Sequence, residues 1–448
     1  MLRRFAISFL LVSVGICAWG RTRSHYGGTL RVEIAGDPWE RQDGIARRLV
    51  YDSLTELDSS GAVHPALALT WDSDNNNHRW QFRLRPGVHF HDGTSLTSAA
   101  VAVSLTGSCT ADCPWGAVKA VGQLVVFTSD SPMPNLPALL AGDQFLIAQT
   151  TTPDGETPAG RIGTGPFQMT GFSNGVLTLT ANENCWQGRP FADAMEIRVR
   201  RPVREQWLDL SVGRTDVVEV PAELLRQAQQ QRMTVLISPP VRLLVMQVTD
   251  MGALANVKLR GAIAAAVDRS AIYSVIFQKQ GQVTASLLPQ RMTGYSFLFP
   301  TDRDLNKAHE LRGGLTTGTL TLATEGDGAM QLAAQRIGLN LREAGFNVQM
   351  ASPGAQRADL VLREIRVAEI EPSAALEQIL RSVGDFTPMT ATTAQELLKA
   401  EQNALDQKTV VPLLDLPRAY ATGARVRDLR LRTDGMPDLA DASLEAAQ

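Results

Sequence analysis

The 448-residue chain has no surplus of charge of either sign, with 43 lysines and arginines against 46 aspartates and glutamates. Nucleic-acid surfaces need a concentrated excess of cations, so that class is excluded as the main activity. No apolar run reaches the roughly eighteen residues of a membrane-spanning helix. There is no G-x-x-x-x-G-K-[ST] phosphate loop, and no G-x-G-x-x-G follows a strand, which removes ATP hydrolysis and dinucleotide binding. Low-complexity tracts are missing: 36 glycines and 23 prolines are scattered as turn punctuation, against 44% apolar content. Disorder, collagen and coiled coil therefore do not fit, and the length suggests about two or three domains.

What is present begins with an address. Arg3 and Arg4 precede an apolar run from Phe5 to Cys17, too short to span a bilayer and suited to a secretory h-region, with cleavage expected after Gly20. A lipid anchor at Cys17 is disfavoured by Ile16, where lipoprotein processing wants a small side chain. Three cysteines remain. Cys109 and Cys113 are spaced to close a local disulfide, Cys185 is left over, and no second Cys/His pair completes a zinc site.

Hydrophobic periodicity outlines an α/β chain. Leu30, Val32 and Ile34 share one face of a strand. Trp80, Phe82 and Leu84 alternate, Pro86-Gly87 turns, and Val88 and Phe90 return as a predicted hairpin, after which Thr97 caps a helix through Val101 and Leu105. Asn174-Gly175 turns a second hairpin between Phe167 and Leu179. Arg204 to Val212 reads as a helix stopped by Gly213, and Val217 to Val220 as a strand. After Pro239-Pro240, Val241 to Val248 reads as a buried strand, Val257 to Val267 as a helix, and Asp268 as the cap of another. Strands at Leu320–Leu322 and Phe346–Met350 flank a helix striped by Ala333, Ile337 and Leu341, implying a crossover in a helix-covered sheet. Further strands are read at Asp359–Leu362, Val410–Leu414 and Leu429–Leu431.

Two motifs invite catalytic or metal readings. Gly171-Phe172-Ser173-Asn174-Gly175 matches G-x-S-x-G, but a nucleophile elbow needs a helix after the serine, whereas a strand is expected here; a secreted serine hydrolase would also need His309 within reach of Ser173. His89 and His91 flank Phe90 and would project together from a strand, with His64 and His78 as conceivable additions, yet no carboxylate or cysteine completes a ligand set. Glu364, Glu369 and Glu371, mixed with Arg363 and Arg366, lie just past a strand end, where α/β sheets bind ligands.

Eight ordered blocks carry a resemblance. Gly27-Gly28-Thr29-Leu30-Arg31-Val32, Val50-Tyr51-Asp52-Ser53-Leu54, Pro65 to Trp71, and Phe82 to Thr94 are followed by Gly163-Thr164-Gly165-Pro166-Phe167 and Asn182 to Pro190, then Val212 to Val217 and Ala265 to Arg269. The chain resembles the extracellular solute-binding protein family 5, the dipeptide-, oligopeptide- and nickel-binding components of ABC importers. The resemblance implies an α/β, two-lobed periplasmic-binding-protein-like fold (class II) with mixed sheets, a two-segment hinge and an interlobe ligand cleft. Lobe one would comprise residues 27–240 with 410–448 returning to it, and lobe two 241–409. Pro239 and Pro240 with Val411 and Pro412 would form the hinge.

The implied protein is non-catalytic, needs no cofactor or metal, works as a monomer in the periplasm or outside the cell, and hands a peptide-like solute to an ABC permease. Departures from the family touch the ligand. Aligning Glu371-Pro372 with the family's Asp-Pro pair puts Ile365 where dipeptide binders carry tryptophan and Ala368 where they carry the amine-binding aspartate, with Glu369 adjacent as a substitute. Asp37 and Trp39 are candidates for the opposite wall, and Arg363, Arg366, Glu369 and Glu371 for the lobe-two wall. A metal chelate, an oligosaccharide or a sensing role are the alternatives within the family.

Overall fold

A computed structural model describes residues 25–39, 44–58, 61–108, 113, 115–149, 162–231, 233–326, 328–351, 358–367, 371–386, 389, 391 and 393–445. The export segment, Cys17, Cys109, Ala368 and Glu369 fall outside them. Among the described residues no helix is long and apolar enough to cross a membrane.

One mixed eleven-stranded sheet runs through the molecule. From one edge its strands are Val348–Met350, Leu320–Thr324, Leu360–Arg366, Thr234–Val248, Val410–Thr422, Val217–Glu219, Thr29–Glu33, Ala194–Arg198, Val176–Ala181 and Phe167–Ser173, with Gln282–Val283 beside Val410–Thr422. The antiparallel pair Thr234–Val248 and Val410–Thr422 is its spine. One end of the pair, Thr234 to Ile237 against Thr422 to Ala419, joins the strands of residues 29–219; the other, Arg242 to Gln247 against Leu416 to Val410, joins those of residues 320–366.

The apolar cores divide at the same place. Leu243 to Leu416 supply one pair of clusters, centred on Leu244, Ile263, Ile337 and Leu414 on one sheet face and on Val245, Leu376 and Ile379 on the other. Residues before Leu236 and after Ala419 supply the rest. We call the first body lobe two and the second lobe one. Lobe one carries a subdomain, a four-stranded antiparallel sheet of Ala68–Ser73, Arg79–Leu84, Leu124–Thr128 and Ala117–Val121, packed around Phe82 and Phe127.

Several expected elements end differently. Val88 and Phe90 are buried but form no hairpin arm; Arg79–Leu84 pairs instead with Ala68–Ser73 and Leu124–Thr128, and the 88–95 turn holds only one bridge, His89 to Ser95. The strand expected to start after Pro239-Pro240 runs straight through both prolines, because β-bulges on either side of Pro240 absorb the missing donors. Asp268 caps as expected, accepting from Ala271 N at 2.9 Å, but the helix widens at once into a π-turn, Ile272–Ile276.

The quoted family blocks meet one another in space. Asp52 accepts from Thr164 Oγ1 at 2.7 Å and from Trp186 Nε1 at 2.8 Å, joining three blocks at one buried carboxyl. A Cβ on Gly163 would stand 1.9 Å from the Val50 carbonyl oxygen, so only glycine lets these segments touch. Asp216 accepts from Arg31 N and is clamped by Arg425 at 2.6 and 2.7 Å. Buried Arg269 donates Nε to the Pro412 carbonyl at 2.8 Å. These motif residues are ties of the architecture.

Candidate functional site

Two cavities have walls from both lobes. The smaller, about 660 Å³, lies over the spine where the long strands cross. Lobe one contributes Ile34 to Asp37, Ile45, Gln206 and Glu219; lobe two contributes Phe277, Ala329, Met330 and Glu364. Its base is a chain of charges. Arg242 Nη2 reaches Glu219 Oε1 at 2.5 Å, Arg242 Nη1 reaches Glu364 Oε2 at 3.4 Å, and Arg418 Nε lies 3.6 Å from Glu219. Burial pushes the Glu219 carboxyl upward, but the Arg242 and Arg418 guanidiniums outweigh it and hold it below the usual carboxylate range. The loop bearing Asp37 follows the first strand, whose last residue, buried Glu33, faces Arg198 at 3.4 Å and Arg201 at 3.5 Å.

The larger cavity, about 820 Å³, lies between the subdomain, the C-terminal segment and lobe two. Arg48 Nε meets Asp143 Oδ1 at 2.5 Å. From lobe two, Arg366 reaches Asp143 at 3.8 Å and Asp434 at 3.2 Å, and Arg432 reaches Asp434 at 3.4 Å. Burial raises Asp434, and the charges of Arg432 and Arg366 more than reverse it. Asp52 also lines this space; burial raises its carboxyl against the opposing bonds of Trp186 and Thr164.

The candidates named from sequence separate accordingly. Asp37 lines the smaller cavity, its Oδ1 accepting from Trp39 N at 2.8 Å. Trp39 packs against lobe one's core, 6.3 Å from the Tyr51 ring, and lines neither cavity. Arg366 lines the larger one. Arg363 does not reach either: its Nε is bonded to Glu325 at 2.9 Å and its Nη1 to the Ser382 carbonyl at 3.0 Å, because strand alternation turns it to the other sheet face from Glu364 and Arg366. Glu371 is a helix cap, accepting from Ala374 N at 2.8 Å and Ser373 Oγ at 2.5 Å, and is likewise outside the cavity walls. Of the expected hinge positions, Pro239 and Pro240 sit among the bulges, with Pro240 opposite Pro417. Val411 and Pro412 instead pair with Met246 and Val245, well inside lobe two.

The catalytic and metal alternatives lose their geometry. Ser173 ends a hairpin strand that Val176–Ala181 continues, with Asn174 at φ 52° and Gly175 at φ 73°, while His309 lies on the lobe-two helix Leu305–Arg312. His91 bonds the Gly165 carbonyl at 3.0 Å, His89 is exposed, His64 faces Asp58 and His78 bonds Ser129 O. Among the described residues no group of three metal-ligating side chains converges. Cys113 is disulfide-bonded, its partner outside the described residues; Cys185 is a free, buried thiol that burial pushes up to about 11.

A mixed sheet shared by two bodies, with cavities walled by both, is the architecture of a clamping solute-binding protein. The chain matches the family model for bacterial extracellular solute-binding proteins, family 5 Middle, over residues 62–385, and it belongs to that family. It is 22% identical over 351 residues to a probable di/tripeptide-binding protein of Pseudomonas aeruginosa, covering 67% of this chain and 66% of the relative. Among solved structures it superposes on the binding protein DppA of Helicobacter pylori in complex with the peptide STSA. That match has a TM-score of 0.83 and 18% identity, covering 94% of this chain and 99% of the other. NikA of Staphylococcus aureus in complex with Ni(L-His)2 gives a TM-score of 0.82 at 15% identity, covering 93% and 100%. The chain spans about half the length of several curated relatives it matches, 52%, 54% and 55% for three of them.

Proposed function

We propose that this protein is the receptor of an ABC importer, periplasmic or extracellular and acting as a monomer, that clamps a peptide-like solute between its lobes and presents it to a membrane permease. The single observation that carries the reading is the smaller cavity, walled by both lobes over two adjacent strands that alone carry the sheet from one to the other. Its size lies within the range of small-molecule sites, roughly 300–1,000 Å³. The bulges at Pro240, opposite Pro417, supply the hinge in place of Val411 and Pro412: they lie between the two cores, whereas the further bulge between Leu244 and Val245, beside Pro412, falls inside lobe two. Asp37 on one wall and Glu364 with Arg242 on the other supply charges of both signs, as a zwitterionic peptide requires. Burial of the solute is gained only in the closed form.

Thermal-shift titration of the purified protein against di- and tripeptides tests this. Free-amine peptides are expected to raise the melting point, and Asp37→Asn and Arg242→Ala to weaken the response. Peptides that leave the melting point unmoved at millimolar concentration would refute the peptide reading. The likeness to a protein solved with Ni(L-His)2 favours a chelate as the second reading, in which nickel with histidine, and not peptides, produces the shift.

A further inference from the structure

We propose that the C-terminal turn Arg432–Met436 is a latched divider that splits the interlobe space into two compartments and so limits the size of solute the receptor accepts. The turn borders both cavities: Arg432 and Asp434 line the larger, Met436 the smaller. The opposite lobe shows the same division. Glu364 and Arg366 lie two residues apart on one face of a strand, about 7 Å along it, yet Glu364 borders the smaller cavity and Arg366 the larger. The two spaces therefore abut along this strand, with the turn between them.

The turn needs a latch because its own hairpin is minimal. Only Arg430 with Asp438 and Leu431 with Pro437 pair, and a two-stranded piece this short is not stable alone. It is held from outside. Arg366 of lobe two reaches Asp434 at 3.2 Å, with exposures of 8% and 12%, and Asp434 in turn accepts from Met436 N at 3.0 Å. Gly435, at φ 78°, lies so close to the spine that a Cβ would stand 2.7 Å from Val241 and 3.1 Å from Ser238 Oγ. The Met436 sulfur touches the Arg418 guanidinium. Among the described residues Arg366 to Asp434 is the only ion pair between the turn and lobe two, while Met436 packs in lobe one's core, so the pair is the latch that ties the turn across the interlobe space.

The consequence for solute size rests on the receptor reading; the latch does not, and the test separates them. Arg366→Gln, Asp434→Asn and the double variant are compared with the parent by hydrogen exchange and by thermal shift with alanine peptides of two to six residues. The amides of Arg432, Gly435 and Met436, hydrogen-bonded within the turn, are expected to exchange at least about tenfold faster in the variants, with those of Thr29–Glu33 unchanged. Unchanged exchange in the turn overturns the latch, and the double variant guards against reading one stranded charge as release. The preferred peptide is expected to lengthen in the variants. An identical length preference beside faster exchange overturns the size-limiting role. If no alanine peptide binds parent or variant, the peptide reading fails, and the divider stands or falls on the exchange result.

Discussion

Replacing Asp415 by asparagine should reverse much of the pH sensitivity of lobe two. Asp415 sits inside the second long strand opposite Leu243, 2% exposed, and its Oδ1 has no hydrogen-bond donor. Burial pushes its carboxyl to about 7; the Arg291 guanidinium opposes this and the Glu401 carboxylate adds to it. Glu401 is itself raised by burial, although Ser286, Leu287 and Leu288 donate to its Oε1 at 2.6, 2.5 and 3.2 Å. Arg291 Nε is committed to the Pro240 carbonyl at 3.1 Å, which keeps its charge from closing on Asp415. A carboxyl whose folded pKa lies above its unfolded value, about 3.9, stabilises the fold while protonated. That contribution is complete below about pH 4, declines between pH 4 and 7, and is gone above the folded pKa. Three units at 1.36 kcal/mol each make the wild-type loss about 4 kcal/mol. Asparagine stays neutral, so the stability of Asp415→Asn minus that of the parent should grow by that amount between pH 4 and 8. For a unit the size of one lobe this is on the order of 10 °C in Tm. Melting both proteins at unit pH steps gives the difference directly, and titrating groups not coupled to Asp415, unlike Glu401, cancel from it. Parallel curves across that range would show that Asp415 is already ionised at pH 5 and that the burial argument is wrong.

Gly163→Ala should cost about 3 kcal/mol in urea unfolding, since the new methyl meets the Val50 backbone and no side chain can yield. Gly87→Ala, at φ 75° with open space around it, should cost only about 1 kcal/mol for its backbone conformation. Glu371→Ala should remove about 1 kcal/mol by uncapping Pro372–Ser382, with solute affinity unmoved; a large loss of affinity would return Glu371 to the ligand wall. Glu219→Gln should destabilise by about 2 kcal/mol at neutral pH by removing the carboxylate that Arg242 and Arg418 share. Because the folded carboxyl is held low, that penalty should vanish as pH falls through and below the ordinary carboxylate range, where the parent loses the same charge.

Periodicity read the elements well where one face was buried and failed where polar side chains interrupt buried strands. Val241–Val248 was legible as a strand because Leu243 to Met246 and Val248 are apolar and buried, but Arg242, inside the same run, gave no sign that it bridges both lobes. Arg418 and Asp415 are similar: charges in a strand otherwise made of Val, Leu and Ala, which is the one local signal that could have marked them. Asp37 and Arg366, which follow or close strands, each line one of the two cavities. Glu371 caps the helix behind it; its spacing before a proline fits a ligand motif and a helix cap equally. Val411-Pro412 pairs inside lobe two, away from the proposed hinge, for a related reason. A proline in a strand signals interrupted pairing, but it does not say which of the four prolines in the strand pair face each other across the ladder.

That counterpart explains why two chain crossings suffice. Pro240 and Pro417 oppose each other, so neither strand donates a backbone hydrogen bond at that rung, and the bulges on both sides of Pro240 remove register there as well. Ser238 partly fills the gap with its hydroxyl, accepting from Arg418 N at 2.9 Å and donating to the Pro239 carbonyl at 2.6 Å. A side chain can swing through a rotation that a backbone ladder resists, so the joint keeps a bond while it bends. Arg242 lies two residues beyond Pro240 and holds Glu219 on one side and Glu364 on the other, so rotation at the joint changes the charge chain at the base of the smaller cavity. In the proposed receptor the element that bends and the element that meets the solute are therefore separated by one residue of strand, so occupancy of the cavity is expected to act on closure directly, without an intervening relay.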